Sequence, residues 1–146
     1  MQVPFVDLKA QYHSIKPEMD QAISSVLEQT AFIGGKYVSE FEQAFAKLYG
    51  VKHCVSVANG TDAIYITMKM LGVGEGDEVI TVANSWISTS ETITQAGATP
   101  VFVDVDPVTF NMDPKDIAKR ITPKTKAIIP VHLFGLCADM DAIKAA

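Results

Sequence analysis

The spacing of apolar residues changes character near residue 50. Before that point, apolar positions recur every three or four residues, which predicts one helix over 15–29 and a second from Val38 to Leu48. Pro17 falls in the first turn of the first predicted helix, where proline is tolerated. Gly34-Gly35 separates the two helices, and Gly50 ends the second. The first third of the chain is therefore predicted to be helical.

After residue 50, short runs rich in Val and Ile alternate with segments of helical spacing. This alternation predicts right-handed crossovers and an α/β fold of three layers, a mostly parallel sheet with helices on both faces. Ligands of such sheets bind beyond the carboxyl ends of the strands. The predicted strands are 53–57, 78–82, 100–103 and 126–131. The predicted helices are 61–71, a second that starts at 86 or 87 and ends at 96, and 114–120.

Composition narrows the class of protein. The chain has 146 residues, of which 48% are hydrophobic and 20% charged, as expected for one soluble globular domain. The net charge is −5 and only one residue is Arg, so a nucleic-acid partner is not expected. The first residues lack the apolar stretch of a signal peptide, and no apolar run approaches the length of a membrane span. We therefore expect a cytoplasmic protein.

Few residues suggest a metal centre or a reactive thiol. Cys54 and Cys137 lie far apart without CxxC spacing, and Cys54 lies in an apolar run, which predicts a buried free thiol. Asp104 and Asp106 share one face of a strand and could form a paired carboxylate or metal site, but Pro107 after them favours solvent exposure. No metal ligands are predicted.

The candidate chemistry lies in VANGTDAI, where a predicted strand runs into Gly60-Thr61 and then a helix. Such a junction can be a plain turn, or it can offer the unpaired N–H groups of a helix start to a phosphate. Trp86 follows the next strand and could stack on a flat ring. The two features together fit pyridoxal phosphate (PLP). The Asp62 carboxylate would repel a phosphate, so its backbone N–H is predicted to bind instead.

Other polar residues at these strand ends are predicted to be structural. His132 in PVHLFG is expected to hydrogen-bond to backbone, although a proton-shuttle role stays open. Asn84, Ser85 and Ser88 are expected to cap the next helix, because no His/Asp partner pattern accompanies them.

Seven segments in order carry a resemblance to a known family: FVDLKAQY, FIGGKYVSEFE, VANGTDAIYI, GVGEGDEVI, TVANSWISTSETITQAGATPVFVDVD, TFNMDP and IIPVHLFGLCADMDAI. Together they cover essentially the whole chain. The chain resembles the sugar-nucleotide aminotransferases of the DegT/DnrJ/EryC1/StrS family.

The resemblance implies an aspartate-aminotransferase-like fold that binds PLP and works as a homodimer. It implies transfer of an amino group, usually from glutamate, to a nucleotide-linked keto sugar, for cell-surface polysaccharide or related amino-sugar biosynthesis. Gly60, Thr61 and Asp62 take the phosphate-binding turn of the family, and Trp86 takes the position that stacks on the cofactor ring. Gly34-Gly35 is either a plain helix–helix turn or backbone near the active-site entrance.

The resemblance also implies that residues 1–146 are the N-terminal portion of the PLP-binding large domain, with a helical segment over 1–50. The last eight residues predict a helix that Asp139 caps and that has no C-terminal signal, so we expect a truncated chain. The Schiff-base lysine, with an Asp, a Gln and a Ser of the family's site, is expected beyond Ala146. No catalytic residue is therefore expected in this chain.

Four lysines of this chain are poor substitutes for the missing one. A Schiff-base lysine must reach the cofactor from the carboxyl side of the sheet and be desolvated. Lys124 and Lys126 are predicted to precede their strand at its amino edge. Lys69 falls roughly 12 Å along its helix at 1.5 Å per residue. Lys36 is predicted to lie in the glycine loop, which gives little desolvation. The chain alone is expected to be inactive.

Three alternatives remain beside the aminotransferase. The same family includes sugar dehydratases that keep the cofactor and replace the lysine. The chain could also be a non-catalytic binding or dimerisation fragment. A nicotinamide-dependent oxidoreductase is disfavoured because no GxGxxG follows any predicted strand.

Overall fold

The computed structural model describes residues 3–146, which divide into two compact units, one up to Ser56 and one from Val57 to Ala146. The first unit holds helices α1 (Leu8–Glu28) and α2 (Lys36–Tyr49). Helix α2 ends at Gly50, which has φ of 65° in the left-handed region, as the sequence predicts.

Helix α1 begins well before the predicted residue 15. The Asp7 carboxylate accepts the N–H of Ala10 at 2.9 Å and caps the helix, and Leu8 and Tyr12 extend the same apolar spacing backwards. Pro17 therefore lies inside the helix, so its predicted place in the first turn is wrong. Helix α2 likewise begins earlier than predicted, at Lys36. Lys36 is therefore the first residue of the helix and does not lie in the predicted glycine loop.

The predicted strand over 53–57 is wrong, because residues 51–59 contain neither helix nor strand. A strand forms only where a neighbouring strand accepts its backbone hydrogen bonds. Here the N–H of Ser56 instead donates to the Glu42 carboxylate at 2.7 Å, and no partner strand for this segment exists within residues 3–146.

The second unit alternates helices and strands as predicted. Its sheet has the order β2-β1-β3, and both pairings are parallel, so β1 is central. The elements in chain order are α3 (Gly60–Met70), β1 (Glu78–Val82), α4 (Ser88–Ala96), β2 (Thr99–Val103), α5 (Pro114–Arg120), β3 (Thr125–Ile128) and α6 (Met140–Ala145).

Strand β3 is displaced from its predicted bounds of 126–131. It starts at Thr125, so Lys126 lies in the strand and does not precede it. Ile129 still donates its N–H to the Ile80 carbonyl at 2.8 Å, and Pro130, which has no N–H, follows. The pairing of β3 with β1 therefore ends before Pro130, which cannot donate a backbone hydrogen bond.

Two hydrophobic clusters lie on opposite faces of this sheet. Ile80 and Val82 of β1 belong to the cluster that includes Ile117 of α5 and Ile143 of α6. Val79, which alternation turns to the other face, belongs to a cluster with residues of α3 and α4. The second unit is therefore a three-layer α/β arrangement, which confirms the predicted class. Within residues 3–146, no helix is long and apolar enough to cross a membrane.

Candidate functional site

The three loops that leave the carboxyl ends of the strands are tied together by side-chain amides. The Asn84 amide, after β1, donates to the Phe110 carbonyl, after β2, at 2.9 Å. The Asn111 amide donates to the carbonyls of Leu136 and Cys137, after β3, at 3.1 and 3.2 Å. The parallel sheet thus brings these loops to one edge, where ligands of such folds bind.

The turn that opens α3 is capped by Asn59, which was not among the predicted site residues. Asn59 Oδ1 accepts the N–H of Asp62 at 2.9 Å, and Asn59 Nδ2 donates to Asp62 Oδ2 at 3.1 Å. This reciprocal pair resembles a capping box, except that the second bond joins the two side chains and does not return to the backbone N–H of the capping residue. Spacing of Asn and Asp by three residues before an apolar run is the signal that could have revealed it.

The Asn59–Asp62 pair bears on the role predicted for Asp62, which stays a prediction. Its side chain is turned to Asn59, and its backbone N–H donates to Asn59 Oδ1. The N–H groups of Gly60 and Thr61 have no acceptor within the described residues. An added Cβ at Gly60 would meet nothing within 4 Å, so this turn is open.

The first turns of α3 and α4 are joined by two hydroxyls. Thr61 Oγ1 lies 2.7 Å from Ser88 Oγ, although the residues are 27 positions apart in sequence. Thr61 is half-buried and Ser88 is only 6% exposed. This contact links the turn that opens α3 to the segment that carries Trp86, the only tryptophan of the sequence.

Trp86 lies two residues before α4 and its side chain is 77% exposed. Its carbonyl accepts the N–H of Thr89 at 3.0 Å, so the backbone is held in the first turn while the ring is accessible. An exposed indole in this loop can stack on a ligand ring.

The predicted capping roles of Asn84, Ser85 and Ser88 are wrong. Helix α4 has Ile87 at its N-cap, without a side-chain cap bond. Asn84 bonds to Phe110, Ser88 to Thr61, and Ser85 Oγ lies 2.7 Å from Thr89 Oγ1. The helix instead begins with the tight backbone bonds that Trp86 and Ile87 accept from Thr89 and Ser90.

His132 and the aspartates have structural partners. His132 Nδ1 accepts the N–H of Ala138 at 3.0 Å, which confirms the predicted bond to backbone. Asp106 accepts the N–H groups of Thr109 and Val108, at 2.8 and 2.9 Å, and these bonds hold the pKa of its carboxyl below its usual range. Asp104 is exposed, as predicted, whereas Asp106 is half-buried. No group of three His, Cys, Asp or Glu that could hold a metal ion occurs in the described part of the chain.

Both cysteines are free thiols. Cys54 is half-buried, so the predicted burial is incomplete, and Cys137 is exposed. The segment around Cys54 has no strand partner within residues 3–146, which explains why its apolar run is not covered there.

None of Lys124, Lys69 and Lys36 has the surroundings expected of a desolvated lysine at the carboxyl edge of the sheet. The Lys124 carbonyl accepts the N–H of Glu78, the first residue of β1, at 2.8 Å, which confirms that Lys124 lies at the amino edge. Lys69 lies in the last turn of α3. Lys36 Nζ lies 3.7 Å from Glu40 and its side chain is 72% exposed, so it is solvated.

The donors at the start of α3 fit a phosphorylated ring. Two backbone N–H groups without an acceptor in residues 3–146, together with the Thr61 hydroxyl, suit a phosphate, and the N-terminus of a helix favours an anion. Trp86 supplies an exposed aromatic surface in the loop joined to that turn. Groups of these kinds are suited to the phosphate and the aromatic ring of PLP.

Comparison with known proteins agrees with this geometry. The model of the DegT/DnrJ/EryC1/StrS aminotransferase family matches residues 13–146. The chain is 50% identical to a pleiotropic regulatory protein of Geobacillus stearothermophilus over 99% of its own length and 39% of that protein. It is also 50% identical to the UDP-2-acetamido-2-deoxy-3-oxo-D-glucuronate aminotransferase of Pseudomonas aeruginosa, over 98% of the chain and 40% of that enzyme.

A solved structure extends the comparison to three dimensions. NtdA from Bacillus subtilis, crystallised with bound cofactor PMP, superposes with a TM-score of 0.93 at 35% identity, over 99% of this chain and 33% of that one. The chain spans about two fifths of the length of these two curated relatives. The match over residues 13–146 and the shared fold establish that this chain belongs to the DegT/DnrJ/EryC1/StrS aminotransferase family.

Proposed function

We propose that the protein containing this chain is a PLP-dependent aminotransferase that moves an amino group, from glutamate, to a nucleotide-linked keto sugar. The proposed role is in amino-sugar biosynthesis for cell-surface polysaccharide or related products. The observation that carries the proposal is the 50% identity to a UDP-linked keto-sugar aminotransferase over 98% of the chain. The free donors at the start of α3 support it, because they suit a phosphate.

Each proposed cofactor-binding residue has its own role. Gly60 offers an open N–H, and Thr61 offers an N–H and a hydroxyl, to the phosphate. Asp62 lies in the same turn and shapes it through Asn59, with its carboxylate held away from the anion by the Asn59 amide. Trp86 stacks on the ring, holds it flat and excludes water from one face. When bound, PLP supplies the electron sink that lets an amino group pass between donor and acceptor.

The remaining machinery belongs to the proposal as well. Residues 1–146 form the N-terminal portion of the large domain, with the helical segment over 1–50, and the Schiff-base lysine lies outside this chain. The working form is a homodimer. Two free cysteines are compatible with a reducing compartment, and the cytoplasm is the proposed location.

The test is nitrogen transfer by the full-length protein. Purified protein with PLP is incubated with ¹⁵N-glutamate and UDP-2-acetamido-2-deoxy-3-oxo-D-glucuronate, the substrate that the Pseudomonas relative's name indicates. Mass spectrometry should detect ¹⁵N in the sugar nucleotide and an equal amount of 2-oxoglutarate. A reaction without glutamate is the control, and further nucleotide-linked keto sugars extend the panel.

Two results would contradict the proposal. A sugar product that loses a hydroxyl without gaining ¹⁵N would favour the dehydratase alternative. A full-length protein that neither binds PLP nor turns over any sugar of the panel would favour a non-catalytic binding role.

A further inference from the structure

The hydroxyl pair between α3 and α4 has a direction that the surrounding bonds determine. Ser88 Oγ has Thr61 Oγ1, at 2.7 Å, as its only hydrogen-bond partner within the described residues. The Ser88 side chain is almost fully buried, so water does not readily replace that partner. A hydroxyl carries one hydrogen, and a buried hydrogen without an acceptor is costly.

Only one direction of this bond satisfies both hydroxyls. If Thr61 donated to Ser88, the Ser88 hydrogen would remain buried without an acceptor. If Ser88 donates to Thr61, the Ser88 hydrogen is satisfied and the Thr61 hydrogen is free to point away from Ser88. Thr61 is half-buried, in the first turn of α3, where the N–H groups of Gly60 and Thr61 have no acceptor within the described residues. The hydrogen of its hydroxyl is therefore accessible to a ligand bound at this turn.

Ser88 is itself held rigidly. Its carbonyl accepts the hydroxyl of Thr92 at 2.7 Å in a buried bond, one turn further along α4. Thr92 is fully buried, so this bond within the helix is shielded from water and fixes the backbone at the start of α4. The Ser88 hydroxyl is therefore presented to Thr61 from a fixed position.

Resting on the proposed aminotransferase function, we propose that Ser88 is a positioning residue for the cofactor phosphate. It donates to Thr61 Oγ1 and so orients the Thr61 hydroxyl as a donor to the phosphate. The bond also couples the phosphate turn to the loop that carries Trp86, two residues before Ser88. Ser88 itself touches no cofactor atom in this proposal.

The test compares two ligands that differ only in the phosphate. Ser88→Ala in the full-length protein should weaken PLP binding by about two- to tenfold, the range for one hydrogen bond between neutral groups. Binding of pyridoxal, which lacks the phosphate, should not change. Both dissociation constants are measured by absorbance titration of the apoprotein, and Ser88→Cys, a weaker donor of similar size, should give an intermediate loss.

Ser85→Ala is the matched control. Ser85 makes a similar hydroxyl contact of 2.7 Å, with Thr89, at the start of the same helix but not with α3. It should bind PLP as the unmodified protein does. In a double-mutant cycle, Thr61→Ala should weaken PLP binding, and Ser88→Ala added to it should have no further effect, because Ser88 acts through Thr61.

The outcomes separate this inference from the proposed function. Equal losses for PLP and pyridoxal, no loss at all, or additive losses in the cycle would overturn the role of Ser88 while PLP binding by the unmodified protein stands. An unmodified protein that does not bind PLP would overturn both. Ser88→Ala and Ser88→Cys are each checked for folding by circular dichroism before titration.

Discussion

The two units of the molecule differ in how they bury their apolar residues. In the first unit, α1 has no buried residue, and Ala46 is the only buried residue of α2. In the second unit, β1 is buried on both faces between two helical layers. One side of α1 instead presents an apolar stripe whose exposure ranges from 42% to 68%. The stripe consists of Leu8, Tyr12, Ile15, Met19, Ile23 and Leu27.

This difference shows what amphipathic periodicity does and does not specify. The same spacing of three and four residues forms helices in both units, but burial depends on whether a complementary face exists within the unit. Strand β1 supplies that face to helices on both sides. No comparable surface lies against α1 within residues 3–56, so its stripe remains exposed there.

The largest expected effect comes from matched isoleucines in the two units. Ile80→Ala, at a fully buried position of β1, should lower the free energy of unfolding by about 2–5 kcal/mol through lost burial and a cavity. Ile23→Ala, at a position 53% exposed on α1, should cost less than about 1 kcal/mol. Urea denaturation followed by circular dichroism measures both. A similar cost for both variants would mean that another surface covers the α1 stripe in solution.

A second expected effect concerns the exposed tryptophan of the second unit. Trp86→Ala in the full-length protein should weaken cofactor binding by about 1 kcal/mol if the ring stacks as proposed. The neighbouring Ile87, 64% exposed, provides the control, and Ile87→Ala should leave the dissociation constant unchanged. Fluorescence or absorbance titration with PLP measures both. If both variants bind like the unmodified protein, Trp86 does not stack on the cofactor, and its exposure, like that of the α1 stripe, reflects only the lack of a covering surface within its unit.

The helix caps of the two units offer a third comparison. Asn59 and Asp7 each accept the N–H of the residue three positions later at 2.9 Å. Asn59→Ala should cost about 1 kcal/mol of unfolding free energy, because the N–H of Asp62 loses its acceptor. Asp7→Ala should cost less, because the start of α1 can fray without disturbing any buried residue. Thermal denaturation of the two variants measures the difference, and equal costs would show that the N-terminus of α1 is held as firmly as that of α3.

The smallest expected effect distinguishes two aspartates by their response to salt. The Lys16 ammonium, through a hydrogen bond, lowers the pKa of Asp20 in the first unit, and backbone N–H groups lower the pKa of Asp106 in the second. The Asp20 pair is exposed, so added salt should raise its pKa toward the usual value, whereas the pKa of Asp106 should change little. Carboxyl-carbon NMR titrations at low and high salt measure both.

The sign of the pH dependence is the same for both groups. A carboxyl with a lowered pKa in the folded state stabilises the protein fully above its unfolded pKa, and this contribution is lost as pH falls through the folded pKa. Acidification below about pH 4 should therefore weaken both contacts. A pKa of Asp106 that moves with salt as much as that of Asp20 would contradict the backbone origin of its shift.

Much of the second unit could be predicted from local pattern. Strand β1 matches its predicted bounds, and α5 matches 114–120, because a short run rich in Val and Ile, the Asp113 cap and the proline at the first turn are all local signals. The strand predicted over 53–57 was wrong because strand formation does not depend on local pattern alone. Its apolar content suits a strand, but pairing requires a neighbour that no local pattern supplies.

The candidate site shows the same division. The residues of VANGTDAI and Trp86 can be selected from the sequence, because a glycine turn before a helix and a lone tryptophan after a strand are visible in the order of residues. The Asn59 cap on the Asp62 N–H is also a local feature, which the spacing of Asn and Asp by three residues could have indicated. The partner of Ser88 lies 27 positions away, so only the packing of α3 against α4 reveals it.

By itself, the sequence determined the alternation of elements, the family and the glycine turn that opens α3, since these depend on neighbouring residues and ordered motifs. Tertiary structure decided which donors remain free. Ser88 meets Thr61 across 27 positions because α3 packs against α4, and hydrogen bonds between residues distant in sequence follow from such packing. Burial was decided in the same way, since an apolar helix face becomes part of a core only where another surface meets it.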